Sequence, residues 1–578
     1  MKRQLYILLS LLILASLSLA ACGPKVSATE APPAVKSVTG GWSQEPDNLV
    51  PYYTQMSYAW WLAQLTLVGL GEWNDKGVLV PELATEIPTV ENGGVSADGL
   101  TITWHLMPDL KWSDGEPLTS ADVKYTWESI MDPANAALQK GTYGSIGSID
   151  TPDDVTVVLK FSALFPPWQT LFTVGPNTAG SLLPKHILEG KTGLETDPFI
   201  HMPTVASGPF VATEWVAGDH LKFVANPNFY KGAPKLDEIL IKFIPTPETA
   251  MAALQTGDID WYPDFSESDI ATLLPLEPAI HTNVIPGPEF EHYLFNLGSA
   301  EGVMDASGVL IPGSQSPAEG TYFCPFKDVR VRKAILLGID RASIVDALLE
   351  GKTTVPPSLW PNSAWNNDSL VVPTYDADAA NALLEEAGYT DTNGDGIREG
   401  DCNGVNTKLS FNFETTDKQI RVDIALAVQS DLKKIGIEFK PSHIPAGTFF
   451  GTYTDGGHMS TGEFDMAGYT TGFYPDPYPT TEDFLCKSIP DADNPGGANW
   501  YHICDPQLDA LFAAVNATGD PAARKVAIDA VQKYMYDNVY FVPMYARAKI
   551  HSYVDRFVPG PYGFFSDMNW NAEVWDVK

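Results

Sequence analysis

Ala97-Asp-Gly-Leu-Thr-Ile-Thr-Trp-His-Leu-Met-Pro-Asp-Leu-Lys-Trp-Ser-Asp-Gly-Glu-Pro-Leu-Thr-Ser-Ala-Asp-Val-Lys-Tyr-Thr-Trp127 runs through a strand, a turn and a helix start. Residues 100–106 alternate apolar and polar side chains, the period of a half-buried strand. Asp114-Gly115 makes a tight turn. Thr119 or Ser120 supplies a hydroxyl to cap the helix that follows, with Asp122 in its first turn. Trp112 and Trp127 are expected to pack in the core.

Strand-like and helix-like segments alternate along the rest of the chain. Residues 155–161 read as a second strand, and 239–244, more uniformly apolar, as a strand covered on both faces. Helical spacing is clear at 121–130, 249–256, 329–349, 377–387, 418–434, 507–515 and 522–536. Pro247 and Glu248 open the second of these. No period of 20–50 residues is present, which excludes a solenoid. The class is α/β, a mixture of helices and strands.

The N-terminus carries an address. Lys2 and Arg3 precede an apolar run that ends at Leu19-Ala20-Ala21-Cys22. A basic start, an apolar stretch and small residues before a cleavage point describe an export signal. A Cys directly after Leu-Ala-Ala resembles the bacterial lipobox. On that reading residues 1–21 are removed and Cys22 becomes the lipidated first residue. The alternative is an uncleaved helix, for which 5–21 is barely long enough to span. Residues 22–37, with Pro24, Pro32 and Pro33, read as a disordered tether. The chain is expected outside the cytoplasm, lipid-anchored on the periplasmic side or the cell surface.

The remaining length is too great for one core, so two or three domains are expected. The formal net charge is −36, and removing the signal makes it more negative. Phosphate binding needs a basic surface, so nucleic acid is excluded as a partner. Four cysteines remain beside Cys22: Cys324, Cys402, Cys486 and Cys504. An even number in an exported chain suggests disulfides. Three pairings are open. The preferred one joins Cys486 to Cys504 across a short Asn/Pro/Gly-rich loop, leaving Cys324 for Cys402; four free buried thiols are the alternative.

The blocks Lys111-Trp-Ser-Asp-Gly115 and Thr119-Ser-Ala-Asp-Val123 resemble the "W-S-D-G" turn and "T-A-D-V" helix start of extracytoplasmic solute-binding proteins of peptide/nickel-type ABC transporters, solute-binding family 5. The likeness continues in order along the chain. It includes Glu45-Pro-Asp-Asn-Leu-Val-Pro51, Pro81-Glu-Leu-Ala84, Ser207-Gly-Pro-Phe210, Asn226-Pro-Asn-Phe-Tyr230 and Gly257-Asp-Ile-Asp260. Phe326-Lys-Asp-Val-Arg-Val-Arg-Lys-Ala-Ile335 with Ile339-Asp-Arg341 closes the series. Each block alone is weak; their order and spacing together are specific.

The resemblance implies a two-lobed, periplasmic-binding-protein-like clamshell with an additional N-terminal-side domain. Lobe one would take 38–78, 204–287 and the tail 552–578. The peripheral domain would take 79–203, and lobe two 288–551. Such proteins close about a hinge on a solute, and no reaction is needed. The implied partners are a peptide-like or oligosaccharide solute and an ABC permease with its ATPase, the receptor itself being a monomer. No cofactor is required.

The resemblance also places ligand contacts on the lip of lobe two, at Gly468-Tyr-Thr-Thr-Gly-Phe-Tyr-Pro-Asp-Pro477 and Asn499-Trp-Tyr501. Peptide-binding relatives hold the ligand's ammonium on an Asp three residues before an acidic-Pro pair. Here that position is Phe473. Either Asp476 takes over, or the ligand has no free amine. The candidate contacts are Phe473, Tyr474, Asp476, Asn499, Trp500 and Tyr501, with Trp360 and Trp365 from a Pro/Asn-rich loop. Aromatic faces suit sugar rings and apolar peptide side chains alike, and about half of these rings are expected in the core.

Asp391, Asn393 and Asp395 alternate before Gly396, as in a calcium loop. The twelfth position, however, is Cys402 instead of Glu, so a plain Asx/Gly turn is the competing reading. His458-Met459 is a remote candidate for soft metal ligation. No nucleophile elbow, H-E-x-x-H or phosphate loop is present. The rival from another class is a secreted hydrolase working through a pair of acids; a signalling sensor is a third.

Overall fold

The computed structural model describes residues 35–54, 56–175, 178–298, 302–304, 309–311, 322–472, 476–566 and 568–578. The signal, Cys22, most of the tether, Phe473 and Tyr474 lie outside the described residues.

A ten-stranded mixed sheet runs through the molecule. In spatial order its strands are Glu438–Ile444, Ser410–Thr416, Met466–Thr471, Ile280–Phe295, Phe541–Val554, Trp261–Phe265, Ser37–Trp42, Glu238–Phe243, His220–Ala225 and Phe210–Val216. Two long strands form its middle. Ile280–Phe295 pairs antiparallel with Phe541–Val554 from Ile280↔Val554 to Leu294↔Phe541, and the register breaks between Pro286 and Phe290. Pro286 lacks an N–H to donate and Gly287 weakens the strand, so regular pairing lapses there.

The apolar cores sort by segment. Among the described residues, one takes its buried members from 50–205, with Tyr230 packed against it, and includes the fully buried Trp104 and Trp112. Another joins Trp42, Phe210, Ile239, Trp261 and Trp575, with Leu254, Tyr262 and Ile550 in a neighbouring cluster. Two more draw only on residues 290–545. Val50, Tyr52, Leu67 and Leu70 pack into the first core although they precede residue 79. The cause is local pairing: Gly71–Trp73 runs parallel with Thr173–Val174, and Leu70 N–H donates to Phe172 O at 2.6 Å.

Local chemistry explains the elements. Thr119 caps Ser120–Met131, and Asp122 Oδ2 accepts from Thr119 N–H at 2.9 Å, a reciprocal capping box. Gly115 takes φ 95° in the turn before it. Trp127 is only partly buried and donates to Tyr143 O at 3.2 Å. The helical spacing over 329–349 is two helices, Val329–Gly338 and Arg341–Leu348. Ile339 is extended, and Asp340 accepts from Ser343 N–H at 3.1 Å; a side chain that bonds nearby backbone competes with helix continuation. Glu238–Phe243 buries Ile239 and Ile241 but leaves Leu240 and Lys242 half-buried, so only one of its faces meets a full core. Cys324–Cys402 and Cys486–Cys504 are disulfides, with Cα separations of 6.1 and 4.4 Å.

Candidate ligand-binding site

A recess of about 210 Å³ lies where the two long strands lose register. Glu289, Arg547, Lys549 and His551 come from those strands; Trp42, Trp61, Asp264, Phe564 and Met568 come from segments packed beside them. Asp264 Oδ2 accepts from Tyr58 Oη at 2.6 Å and from Ser43 Oγ. The Glu289 carboxylate has no hydrogen-bond partner among the described residues. Burial raises its carboxyl above the usual range, against the pull of Lys549 and Arg547. Lys549 Nζ sits 5.2 Å from the Phe564 ring centroid.

An ion chain ties the strands around the recess together. Glu267 accepts from Arg547 Nη2 at 2.9 Å and from Arg547 Nε, and Arg547 Nη1 donates to Thr470 Oγ1 at 2.8 Å. Thr470 Oγ1 donates to Glu291 Oε2 at 2.6 Å and accepts from Arg421 Nη2 at 3.1 Å. Arg421 Nε also donates to Glu291 Oε1 at 2.7 Å. Burial opposes the Arg547 charge, but Glu267 more than offsets it and its pKa is raised. The chain runs from the 204–287 segment to the 288–551 segment, so any relative motion of the two must respect it.

Three half-buried rings form a second surface. Phe450, Tyr469 and Trp500 have centroids 5.7 to 5.8 Å apart. Tyr469 pairs with His292, on the same strand as Glu289. Asp483 acts on both Tyr469 and Tyr501 and has no hydrogen-bond partner among the described residues. Burial, with Glu482 nearby, pushes its carboxyl up to about 7.

The residues expected on the lip divide sharply. Asp476 is buried, and Arg524 holds both its oxygens at 2.6 and 2.8 Å. It is therefore an internal partner and not a free acceptor for a ligand ammonium. Asn499 is fully buried and donates to Leu485 O and Ile503 O at 2.9 and 2.8 Å. Tyr501 is buried with its Oη 2.8 Å from His292 Nε2; burial pulls His292 down to about 3. Trp360 lies in the core at φ 53°. These four serve packing, because their side chains point inward. Trp500 joins the aromatic surface, and Trp365 lies under the Arg524 guanidinium at 5.4 Å. Met459 is buried and His458 Nδ1 is 2.8 Å from Glu414 Oε2, so the two do not form a soft metal pair. Glu289, Asp264 and Asp483 carried no sequence signal, since nothing local marks which acids face a recess or lack a donor.

A sheet crossed by two paired strands, separate cores on either side and a charged, aromatic recess at the crossing define a clamshell binding protein. Residues 78–490 match the model of bacterial extracellular solute-binding proteins, family 5 Middle, and the chain belongs to that family. It is a substrate-binding protein of the peptide/nickel type for an ABC importer, working outside the cytoplasm as a carrier and not an enzyme. The hydrolase alternative is thereby removed.

The chain is 27% identical over 430 residues to the oligopeptide-binding protein AppA of Bacillus subtilis (strain 168), covering 73% of this chain and 71% of that one. The fold is shared with NikZ from Campylobacter jejuni, solved in complex with Ni(L-His), at TM-score 0.67 and 23% identity over 93% of this chain and 99% of the other. It is shared too with the oligopeptide binding protein from Thermus thermophilus, complexed with pentapeptide, at TM-score 0.61 and 22% identity over 94% and 96%.

Proposed function

We propose that this chain is a lipid-anchored receptor that closes on a peptide-like solute and delivers it to a membrane permease. Lobe one is 38–78, 204–287 and 552–578, except that Val50, Tyr52, Leu67 and Leu70 pack with the peripheral domain 79–203; lobe two is 288–551. The observation that carries the reading is the recess at the strand crossing. It sets the acids Asp264 and Glu289 among the cations Arg547 and Lys549, beside Trp42, Trp61 and Phe564. A peptide brings an ammonium, a carboxylate and apolar side chains to such a surface; a neutral sugar brings no charge to match it. The peptide bound by the Thermus thermophilus relative supports the same choice.

A second reading, an oligosaccharide ligand, is favoured by the half-buried rings of Phe450, Tyr469 and Trp500. Thermal-shift screening against peptides, oligosaccharides and metal chelates separates the two, because a ligand raises the melting temperature by mass action. Peptides with free N-termini are expected to raise it. A rise with oligosaccharides and none with peptides overturns the peptide reading.

A further inference from the structure

We propose that the loop between helix Ala377–Glu386 and strand Glu399–Cys402 is a binding site for a hard divalent cation of the calcium class. Asp391, Asp395 and Glu399 bring one carboxylate oxygen each within 4.8 Å of one another. Counted from Asp391, Asn393 is third, Asp395 fifth, Gly396 sixth, Ile397 seventh and Glu399 ninth. These are the side-chain, glycine and backbone-carbonyl positions of a calcium loop. Gly396 takes φ 87°, as the sharp turn at the sixth position demands.

The second observation is Glu399 itself. It is only 4% exposed, and its Oε2 is shielded from solvent with no hydrogen-bond partner among the described residues. Its Oε1 is taken by Thr392, whose N–H donates at 3.1 Å and whose hydroxyl donates as well. A buried carboxylate oxygen left without a donor is costly unless a cation meets it. Glu399 reaches the loop because an antiparallel bridge closes the neck: Thr390 N–H donates to Glu399 O and Glu399 N–H to Thr390 O, each at 3.0 Å. Glu399 thus supplies one carboxylate oxygen to a loop that lacks a Glu at the twelfth position. Cys402, at that position, is committed to Cys324.

The loop side chains already accept backbone N–H bonds. Asp391 takes Gly394 and Gly396 at 2.7 and 2.9 Å, Asn393 takes Asp395 at 2.9 Å, and Asp395 takes Ile397 at 3.0 Å. Each carboxylate keeps lone pairs for a metal beyond these. The cation on the spot is Lys408, which bonds Asp395 from the strand position opposite Glu399. One ammonium does not balance three carboxylates, and a divalent ion would displace it.

Calorimetric titration of the chelator-treated full chain with CaCl2 tests the site. One calcium per chain is expected, with a Kd of about 10⁻⁴–10⁻³ M, the range of extracellular modules. Asp391→Asn combined with Asp395→Asn is expected to abolish uptake. Lys408→Ala is expected to tighten it by about two- to fivefold, the size of a lost exposed ion pair. Absence of saturable uptake by the parent chain overturns the proposal, as does uptake unchanged in the double variant. Should the double variant not fold, Lys408→Ala decides: an unaltered affinity overturns the site.

Discussion

Arg524 grips both oxygens of Asp476, Nη1 to Oδ2 at 2.6 Å and Nη2 to Oδ1 at 2.8 Å, with both side chains about 4% exposed. The two residues are 48 positions apart. The pair fastens the lip that follows Met466–Thr471 to the first turn of helix Pro521–Asn538. It also fills the one acid on that lip that the family pattern offered to a ligand amine.

Breaking this pair from one side leaves a buried charge without its counter-ion. Arg524→Met is expected to lower unfolding free energy by about 3–5 kcal/mol in urea titration. Arg524→Met with Asp476→Leu should recover most of that loss, because an apolar pair of similar volume needs no desolvation. A single variant as stable as the parent would show that the pair is not shielded in solution.

Glu289 makes the opposite prediction. It has no hydrogen-bond partner among the described residues to lose, so Glu289→Gln should leave the melting temperature of the ligand-free protein nearly unchanged. Its affinity for peptides with a free N-terminus should drop by about 1.5–3 kcal/mol, a charge-assisted hydrogen bond. Calorimetry with a free and an N-acetylated peptide checks this, since only the free one should discriminate parent from variant.

Asp483 confers a pH dependence whose sign follows from its raised carboxyl. Its ordinary value is 3.8 and its folded value about 7. Between the two, the unfolded chain releases the proton while the folded chain keeps it. The contribution of Asp483 is complete below about pH 4 and is lost as pH rises through about 7. Asp483→Asn should therefore gain stability over the parent above about pH 7 and lose that advantage near pH 4. Thermal melts across this range read the difference.

The two disulfides should differ in worth. Cys324–Cys402 closes a separation of 78 residues and Cys486–Cys504 one of 18. On the chain-entropy model, replacing the first pair by Ser costs about 4.5 kcal/mol and the second about 3 kcal/mol. Denaturant midpoints of the two double variants test the order, and equal losses would put the stabilisation elsewhere.

Much of the fold was legible because its signals are short-range. The Thr119 cap, the Gly115 turn and the strand at Thr101–His105 each depend on a few adjacent side chains. The cysteine pairs were legible from count and loop composition. The site was harder. Asn499, Tyr501 and Trp360 are polar or aromatic residues in loops, a profile that fits a ligand surface as well as a core. The hydrogen bonds of Asn499 to Leu485 and Ile503, and of Tyr501 to His292, are set by folding and have no trace in residue type.

The sequence by itself determined the family, the alternation of strand and helix, the even cysteine complement and the acidic calcium-type loop. All of these are written in residue types at fixed spacing along the chain. Only the tertiary structure decided that Asp476 belongs to Arg524, that the Glu289 carboxylate faces the recess with no hydrogen-bond donor among the described residues and that Glu399 closes the loop at its neck. The reason is physical. Whether a carboxylate is spent or free depends on which donors lie within about 3 Å, and those donors arrive from strands and helices far away in the chain.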